Sequence, residues 1–351
     1  MAEETGDQGG AVPTGASAPS GDSVPPAVHE LAAMFGRDAA AVDATGQLPA
    51  AHLAGLAGAG LYGIFAPPSA GGLGLDHAQA CAVVEELAAG CLATTFVWIQ
   101  HFRLLGSLLD PATPEPLRTS LLPRVVRGEV RGGVVLAGLL PGPPQLTARP
   151  VPGGWQLDGQ APWATGWGHA GLLAVLARGP DDSVVTLLLD AAGQPGLTVR
   201  RLRLAAADAS ATVRLTFSGL HVPADRYVGQ RPYDPVRDQA EGLRLNGSLP
   251  LGVARRCCTL IGPSPLDVEL GHARAALDAA STATMPAARA GAAEFAVRAA
   301  HALAVRRGSS SALAGDEADR LTREAAFLLV FGSRPAIKEA LLAKLTAARP
   351  S

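Results

Sequence analysis

The hydrophobic period of this sequence changes twice, near Gly128 and again near Gly229, and these two changes restrict the fold more than any other feature. From Pro26 to about Gly128, apolar residues recur at three-to-four spacing, as in "VHELAAMF" and "LPAAHLAGLAGAGL", the stripe of helices with one buried face. The run "HAQACAVVEELAAGCLATTFVWIQHFRLLGSLL" predicts two helices broken near Gly90, with Asp76 as N-cap. After Gly128 come short runs rich in Val, Leu and Thr: "GGVVLAGLL", "WQLDGQAPWA", "LLAVLAR", "VVTLLLD", "LTVRRLRL" and "ATVRLTF". Between them lie "PGPP", "VPGG", "GPDD" and "AAGQPG", so an antiparallel barrel or sandwich is expected. Beyond "GQRPYDP" the helical period returns, predicting helices over 236–261, 265–283, 286–307, 315–331 and 335–348. Pro265 and Pro335 stand where helices begin, and Gly262, Gly308 and Gly332 where they stop. Helices, then strands, then helices is not the order of a doubly wound parallel sheet. The expected class is an α+β multidomain chain: a flexible tail over 1–26, an N-terminal helical domain over 27–128, a middle β-domain over 129–230 and a C-terminal helical bundle over 235–349.

Composition excludes several function classes. Among 351 residues, 48% are hydrophobic and only 4% aromatic, so the interior must be largely Ala, Leu and Val, which lets helices approach closely. Net charge is -2, from 29 basic and 31 acidic residues, with no block of five or more like charges; a nucleic-acid surface is not expected. No apolar run reaches the roughly 18–20 residues a membrane span needs. The N-terminus lacks the apolar core of a signal peptide. Cys81, Cys91, Cys257 and Cys258 form no CxxC, and the adjacent pair would be strained as a disulfide. A reduced, cytoplasmic protein is the expectation. There is no HExxH, no GxSxG and no Cys/His cluster of metal spacing, so no metal is expected. "GGLG" at 71–74 follows no strand and reads as a turn, not a phosphate loop.

"APWATGWG" at 161–168 holds two of the four tryptophans, Trp163 and Trp167. Each indole suits either core packing or a flat, partly polar ligand. His101, in "WIQHF", sits on an apolar helix; it suits a structural role, or, with Gln100, the orientation of a carbonyl.

Three ordered stretches resemble the acyl-CoA dehydrogenase superfamily. "GLYGIFAPPSAGGLGLDHAQACAVVEELA" is similar to its N-terminal "G…P…GGLG.D…EELA" segment, "GWQLDGQAPWATGWGHAGLLAVLAR" to the strand pair bearing a "W-I-T" flavin contact, and "VRLTFSGLHVPADRYVG" to the signature closing its middle domain. Together they cover roughly residues 27–230. The resemblance implies FAD-dependent α,β-oxidation of an acyl thioester, with flavin contacts from Trp163, Ala164 and Thr165 and, after the first middle strand, from Leu136 and Ala137. It also puts His101 and Gln100 on the wall of the acyl pocket.

The departures from the family pattern are specific. "LAGLLPGPPQL" has Ala137 and Gly138 where the family has Thr and Glu; the "R-x-x-F-G" and "GG.G" cofactor motifs are missing; and Gly332 stands at the usual base position. In "EGLRLNGSLPLG" the one natural candidate base is Glu241, one residue out of register, with Arg244 beside it as a substrate contact. The alternative for Glu241 is a solvated glutamate at a helix start beside that arginine. Three functions stay open: an acyl-CoA dehydrogenase-like flavoprotein; a non-catalytic partner subunit of a heteromeric one, with FAD absent or shared; and a flavin-dependent monooxygenase on the same scaffold. "AAEFAVRAAHALAV" has little charge on several faces, which predicts a homo-oligomer or a hetero-oligomer with a full-length relative.

Overall fold

A computed structural model describes residues 24–332 and 334–347 of the chain. Of the expected tail, residues 1–23 lie outside the described residues.

The first helical stretch forms α1 (Pro26–Thr45), α2 (Ala50–Gly58), α3 (His77–Gly90), α4 (Leu92–Ile99), α5 (His101–Leu109) and α6 (Glu115–Val126). Asp76 caps α3 as expected: its Oδ1 accepts from the Gln79 amide at 2.8 Å, while Gln79 Oε1 accepts from the Asp76 amide at 3.0 Å. The run over 77–109 makes three helices, not two. The extra break falls at Gln100, whose Nε2 donates to the Phe96 carbonyl at 2.8 Å, a side-chain bond that closes the last turn of α4. "GGLG" is a turn: Gly71 and Gly74 have φ of 81° and 61°.

The middle strands are β1 (Gly132–Val135), β2 (Leu146–Val151), β3 (Gly154–Ala164), β4 (Leu172–Arg178), β5 (Ser183–Asp190), β6 (Leu197–Arg201), β7 (Val213–Pro223) and β8 (Tyr227–Pro232). They form one sheet ordered β6-β7-β3-β2-β4-β5-β8, with β1 added on β4. The sheet is mixed where an antiparallel one is expected. β1 runs parallel to β4, and β2 meets β4 in parallel at Thr147 and Arg178, because the β2–β3 hairpin intervenes and the chain reaches β4 by a crossover. Every residue of β4 is buried. Leu172 and Ala174 pack with Leu104, Leu105 and Leu108 of α5, whereas Leu173, Val175 and Ala177 enter the core of the sheet. A strand covered on both faces reads as continuous apolar sequence.

The last stretch gives α7 (Pro235–Ala240), α8 (Leu243–Ile261), α9 (Pro265–Asp278), α10 (Met285–Arg307), α11 (Glu317–Val330) and α12 (Pro335–Thr346). Pro265 and Pro335 open their helices and Gly262 and Gly308 close theirs. The two helical stretches are not separate inside the molecule. Phe35, Leu87 and Phe96 share one apolar core with Leu249, Phe295 and Leu328. Ion pairs cross the same junction: Arg274 Nη2 lies 2.5 Å from Glu85 Oε1, Arg323 Nη2 lies 2.6 Å from Asp43 Oδ2, and Arg255 pairs with Glu86. All four cysteines are buried and free. Among the described residues no helix is long and apolar enough to cross a membrane.

Gly252 sets how closely α8 crosses α3, since a Cβ there would stand 2.5 Å from the Glu85 carbonyl oxygen and 2.6 Å from Ala88 Cβ. Gly252→Ala is therefore expected to force the helices apart and cost ~1–3 kcal/mol of stability, read as a lower urea midpoint.

Candidate functional site

The exposed indole of Trp163 results from a break in strand pairing. β3 and β7 pair at Ala161–Leu215 and again at Ala164–Val213, so β3 holds one extra residue over that interval. Pro162 in this interval has no amide to donate, which favours a bulge. Trp163 is 51% exposed, whereas Ala164 is buried. Thr165 is also buried, and its Oγ1 lies 3.0 Å from Thr212 Oγ1, which lies 2.9 Å from Ser210 Oγ. The hydroxyl expected at a flavin edge is thus held in an internal chain that anchors the end of the strand. Trp167 packs against the core of the sheet, so the two indoles have different surroundings.

Leu136 follows β1 and is 36% exposed; the next residues, Ala137–Leu139, form a buried 3-10 turn. A Cβ on Gly133 of β1 would lie 3.6 Å from the Thr165 carbonyl, which sets the end of β3 beside β1 and brings Trp163 and Leu136 to one corner of the sheet. Gly138 is pressed on β4, where a Cβ would stand 2.5 Å from the Ala177 carbonyl carbon. Arg178 holds this turn from below and went unnoticed in the sequence. Nearly buried, it donates from Nε to the Gly138 carbonyl at 3.1 Å and from Nη2 to the Leu140 carbonyl at 3.4 Å, pairs with Asp182, and stacks 3.5 Å from the centre of the Tyr233 ring. The only signal was an arginine closing an otherwise apolar strand, "LLAVLAR".

Glu241 lies in the turn between α7 and α8, ahead of Gly242, whose φ of 73° starts α8. α7 packs against the 137–139 turn, and α5 packs on β1, so Glu241 and α5 adjoin the same corner. Glu241 Oε1 accepts from Arg103 Nη1 at 2.8 Å; its Oε2 is 3.5 Å from Arg231 Nη2; its carbonyl accepts from Arg334 at 3.1 and 3.2 Å. Arg231 in turn grips the fully buried Asp238, Nη2 to Oδ1 at 2.5 Å. The expected neighbourhood of Glu241 and Arg244 is corrected. Arg244 faces α9, donating from Nε to Asp278 Oδ1 at 2.7 Å and from Nη1 to Ser248 at 3.0 Å, because Leu243 fills the core and the next residue turns about 100° around the helix.

His101 and Gln100 are corrected as well. His101 is 1% exposed; its Nε2 donates to the Tyr62 carbonyl at 3.1 Å and its Nδ1 accepts from the Gly132 amide at 2.9 Å. It joins α5 to β1 and leaves no ring nitrogen for a ligand, while the Gln100 amide closes α4. Burial pushes the His101 pKa down to about 4. A folded pKa below the unfolded 6.5 stabilises the protein fully above pH 6.5, and that contribution is lost as pH falls towards 4. His101→Gln is expected to remove an acid-side loss of ~3 kcal/mol, seen as a flatter urea midpoint between pH 7 and pH 4. Among the described residues no group of three or more His, Cys, Asp or Glu could hold a metal ion.

N-terminal helices, a middle mixed sheet and C-terminal helices make up the fold shared with solved acyl-CoA dehydrogenases. Residues 26–129 match the family described as acyl-CoA dehydrogenase, N-terminal domain. The chain is 28% identical over 231 residues to benzylmalonyl-CoA dehydrogenase of Aromatoleum aromaticum, covering 62% of this chain and 60% of that one. It is 27% identical to the human mitochondrial short-chain specific acyl-CoA dehydrogenase, covering 55% and 48%. It thus spans about half to three-fifths of the length of these relatives. Among solved structures, the electron transferring flavoprotein of Acidaminococcus fermentans superposes with a TM-score of 0.78 at 16% identity, covering 94% of this chain and 99% of that one. A glutaryl-coenzyme A dehydrogenase bound to glutaryl-CoA superposes with a TM-score of 0.77 at 18% identity, covering 91% and 94%. At such identities the superpositions speak for the fold alone. The family match over residues 26–129 and the curated relatives support the acyl-CoA dehydrogenase superfamily for this chain.

Proposed function

We propose that the protein is an acyl-CoA dehydrogenase-like flavoprotein that oxidises an acyl thioester between its α and β carbons. The observation that carries this reading is the bulged end of β3, which leaves Trp163 half exposed, on a strand that packs against the 137–139 turn following the exposed Leu136. Exposed apolar side chains at a rigid sheet end fit a planar aromatic ring, which would shield them from water. Trp163 and Leu136 would hold the ring of FAD, and the backbone of Ala164, Thr165 and Ala137 would border its polar edge. When bound, flavin supplies the acceptor for the β-hydride. The chain's own part is to hold that corner rigid through the Thr165–Thr212–Ser210 chain and Arg178, and to present a carboxylate. Glu241 is our candidate base, through Oε2, the more loosely held oxygen, which Arg231 approaches at 3.5 Å while Arg103 holds Oε1 at 2.8 Å.

The reading is tested by the visible spectrum of the purified protein, isolated with any partner it retains. A flavin band, or its appearance on incubation with FAD, is expected; a colourless protein that takes up no flavin overturns it. A second reading is a non-catalytic partner subunit in a hetero-oligomer with a full-length relative. It is favoured by Arg103 engaging Glu241 at 2.8 Å and by Ala137 and Gly138 at the family's Thr and Glu positions. A flavin-loaded, active homo-oligomer would exclude it.

A further inference from the structure

Strands β6 and β7, with the segment joining them, carry four arginines, Arg200, Arg201, Arg203 and Arg214, and one carboxylate, Asp208. Asp208 is already shared. Its Oδ2 lies 3.5 Å from Arg201 Nη2 and 3.4 Å from Arg203 Nε, and its Oδ1 accepts from the Leu204 amide at 2.8 Å. Arg200 and Arg214 are left over. They stand directly opposite each other in the ladder between β6, the last strand of the sheet, and β7. Among the described residues neither guanidinium has an acidic partner, and Arg214 Nε is buried with no acceptor. Val199, Val213 and Leu215, their neighbours along the strands, pack on the core of the sheet; side chains alternate along a strand, so Arg200 and Arg214 share the outer face. Like charges opposite each other in a ladder repel, and an orphaned buried donor adds its own cost. One anion seated between the two guanidinium forks relieves both.

The next strand over shows which anion fits. Ala161 pairs with Leu215 and Ala164 with Val213, so Pro162 and Trp163 together stand across from Arg214. From edge to interior the ladder reads Arg200, Arg214, Trp163: two cations without partners, then an indole that is 51% exposed. Neighbouring strands lie roughly 4.8 Å apart, which puts Arg214 one strand spacing from Trp163 and Arg200 two. A bare anion would use only the arginines, and an uncharged ring only the indole. A flat ring carrying a phosphate on a short arm uses all three. We infer that Arg200 and Arg214 hold the first phosphate on the ribityl arm of the flavin whose ring rests on Trp163. The chain therefore selects flavin as its nucleotide over riboflavin, and it does so with residues of its own middle strands. This inference rests on the flavin reading above.

The experiment titrates the full chain, in the assembly in which it is isolated and stripped of any flavin, with riboflavin, FMN and FAD, reading quenched flavin fluorescence. FMN is expected to bind at least ~10-fold more tightly than riboflavin, with the preference shrinking as salt rises. Arg200→Gln and Arg214→Gln are each expected to reduce that preference, and the double variant to bring the ratio near one. Arg200→Gln should leave the unfolding midpoint of the flavin-free protein unchanged or raised, since it relieves a repulsion. Equal binding of riboflavin and FMN by the unmodified protein overturns the inference and leaves the flavin reading standing. A preference for FMN that survives in the folded double variant also overturns it. Displacement of FMN by equimolar adenosine 3′,5′-bisphosphate, the phosphate-bearing end of coenzyme A, would assign the pair to the thioester and overturn it too. Binding of none of the three flavins overturns both readings. The comparison on the unmodified protein decides even if the variants do not fold.

Discussion

Arg320→Met is expected to destabilise the protein by ~3–5 kcal/mol, the cost of leaving a buried carboxylate without its partner. Arg320 and Glu324 are each only 5% exposed; Arg320 Nη1 donates to the two carboxylate oxygens of Glu324 at 3.0 and 3.1 Å, and its Nη2 reaches Glu317 at 3.2 Å. Burial raises the Glu324 pKa and the Arg320 guanidinium opposes that rise, so the variant loses the opposing effect. With the folded carboxyl raised above its unfolded value of 4.5, this group's contribution is fully present below pH 4.5 and lost as pH rises through the folded value. The penalty of Arg320→Met is therefore largest at neutral pH and shrinks on acidification, which urea unfolding at pH 7.5 and pH 5 would register. Arg320→Met combined with Glu324→Leu removes the two charges together and is expected to recover most of the loss. A single variant as stable as the parent at pH 7.5 would show that the pair carries no such burden.

Trp163→Ala is expected to weaken flavin binding by ~10- to 100-fold, equivalent to ~1.5–3 kcal/mol for a lost aromatic face and its buried area. Because the indole is 51% exposed, the unfolding midpoint should barely change. Trp167→Ala is the control with the opposite profile: that indole packs on the core of the sheet, so its loss should lower stability and leave flavin affinity nearly intact. Titration of quenched flavin fluorescence, read beside thermal unfolding, separates the two. Undiminished affinity in Trp163→Ala would remove the indole from the site.

Trp163 and Trp167 also illustrate how far the sequence reached. Four residues apart on one stretch, they are chemically identical; the bulge at Pro162 precedes the exposed Trp163, whereas Trp167 lies past the strand, where its amide donates to the Ala211 carbonyl and its ring packs on the sheet. His101 presents the same difficulty. An imidazole on an apolar helix suits a ligand contact as well as a strut, and its role was decided by the Tyr62 carbonyl and the Gly132 amide, 39 and 31 residues away. Arg103 drew no notice in "WIQHFRLL" because its partner Glu241 lies 138 residues further on.

By itself the sequence determined the helix–sheet–helix order and most element boundaries, since period, capping residues and Gly/Pro punctuation act within a few residues of one another. Asp76, Pro265, Pro335 and Gly308 mark element ends in the structure where their local chemistry requires. The tertiary structure alone decided that β1 joins β4 in parallel, that helices from the two ends of the chain share one core, and that Arg103, Arg231 and Arg334 converge on Glu241. Those contacts join residues from different helices and strands. No local pattern encodes them, because their partners are set by how whole elements pack, and a charged side chain settles on whichever opposite charge or carbonyl that packing brings within reach.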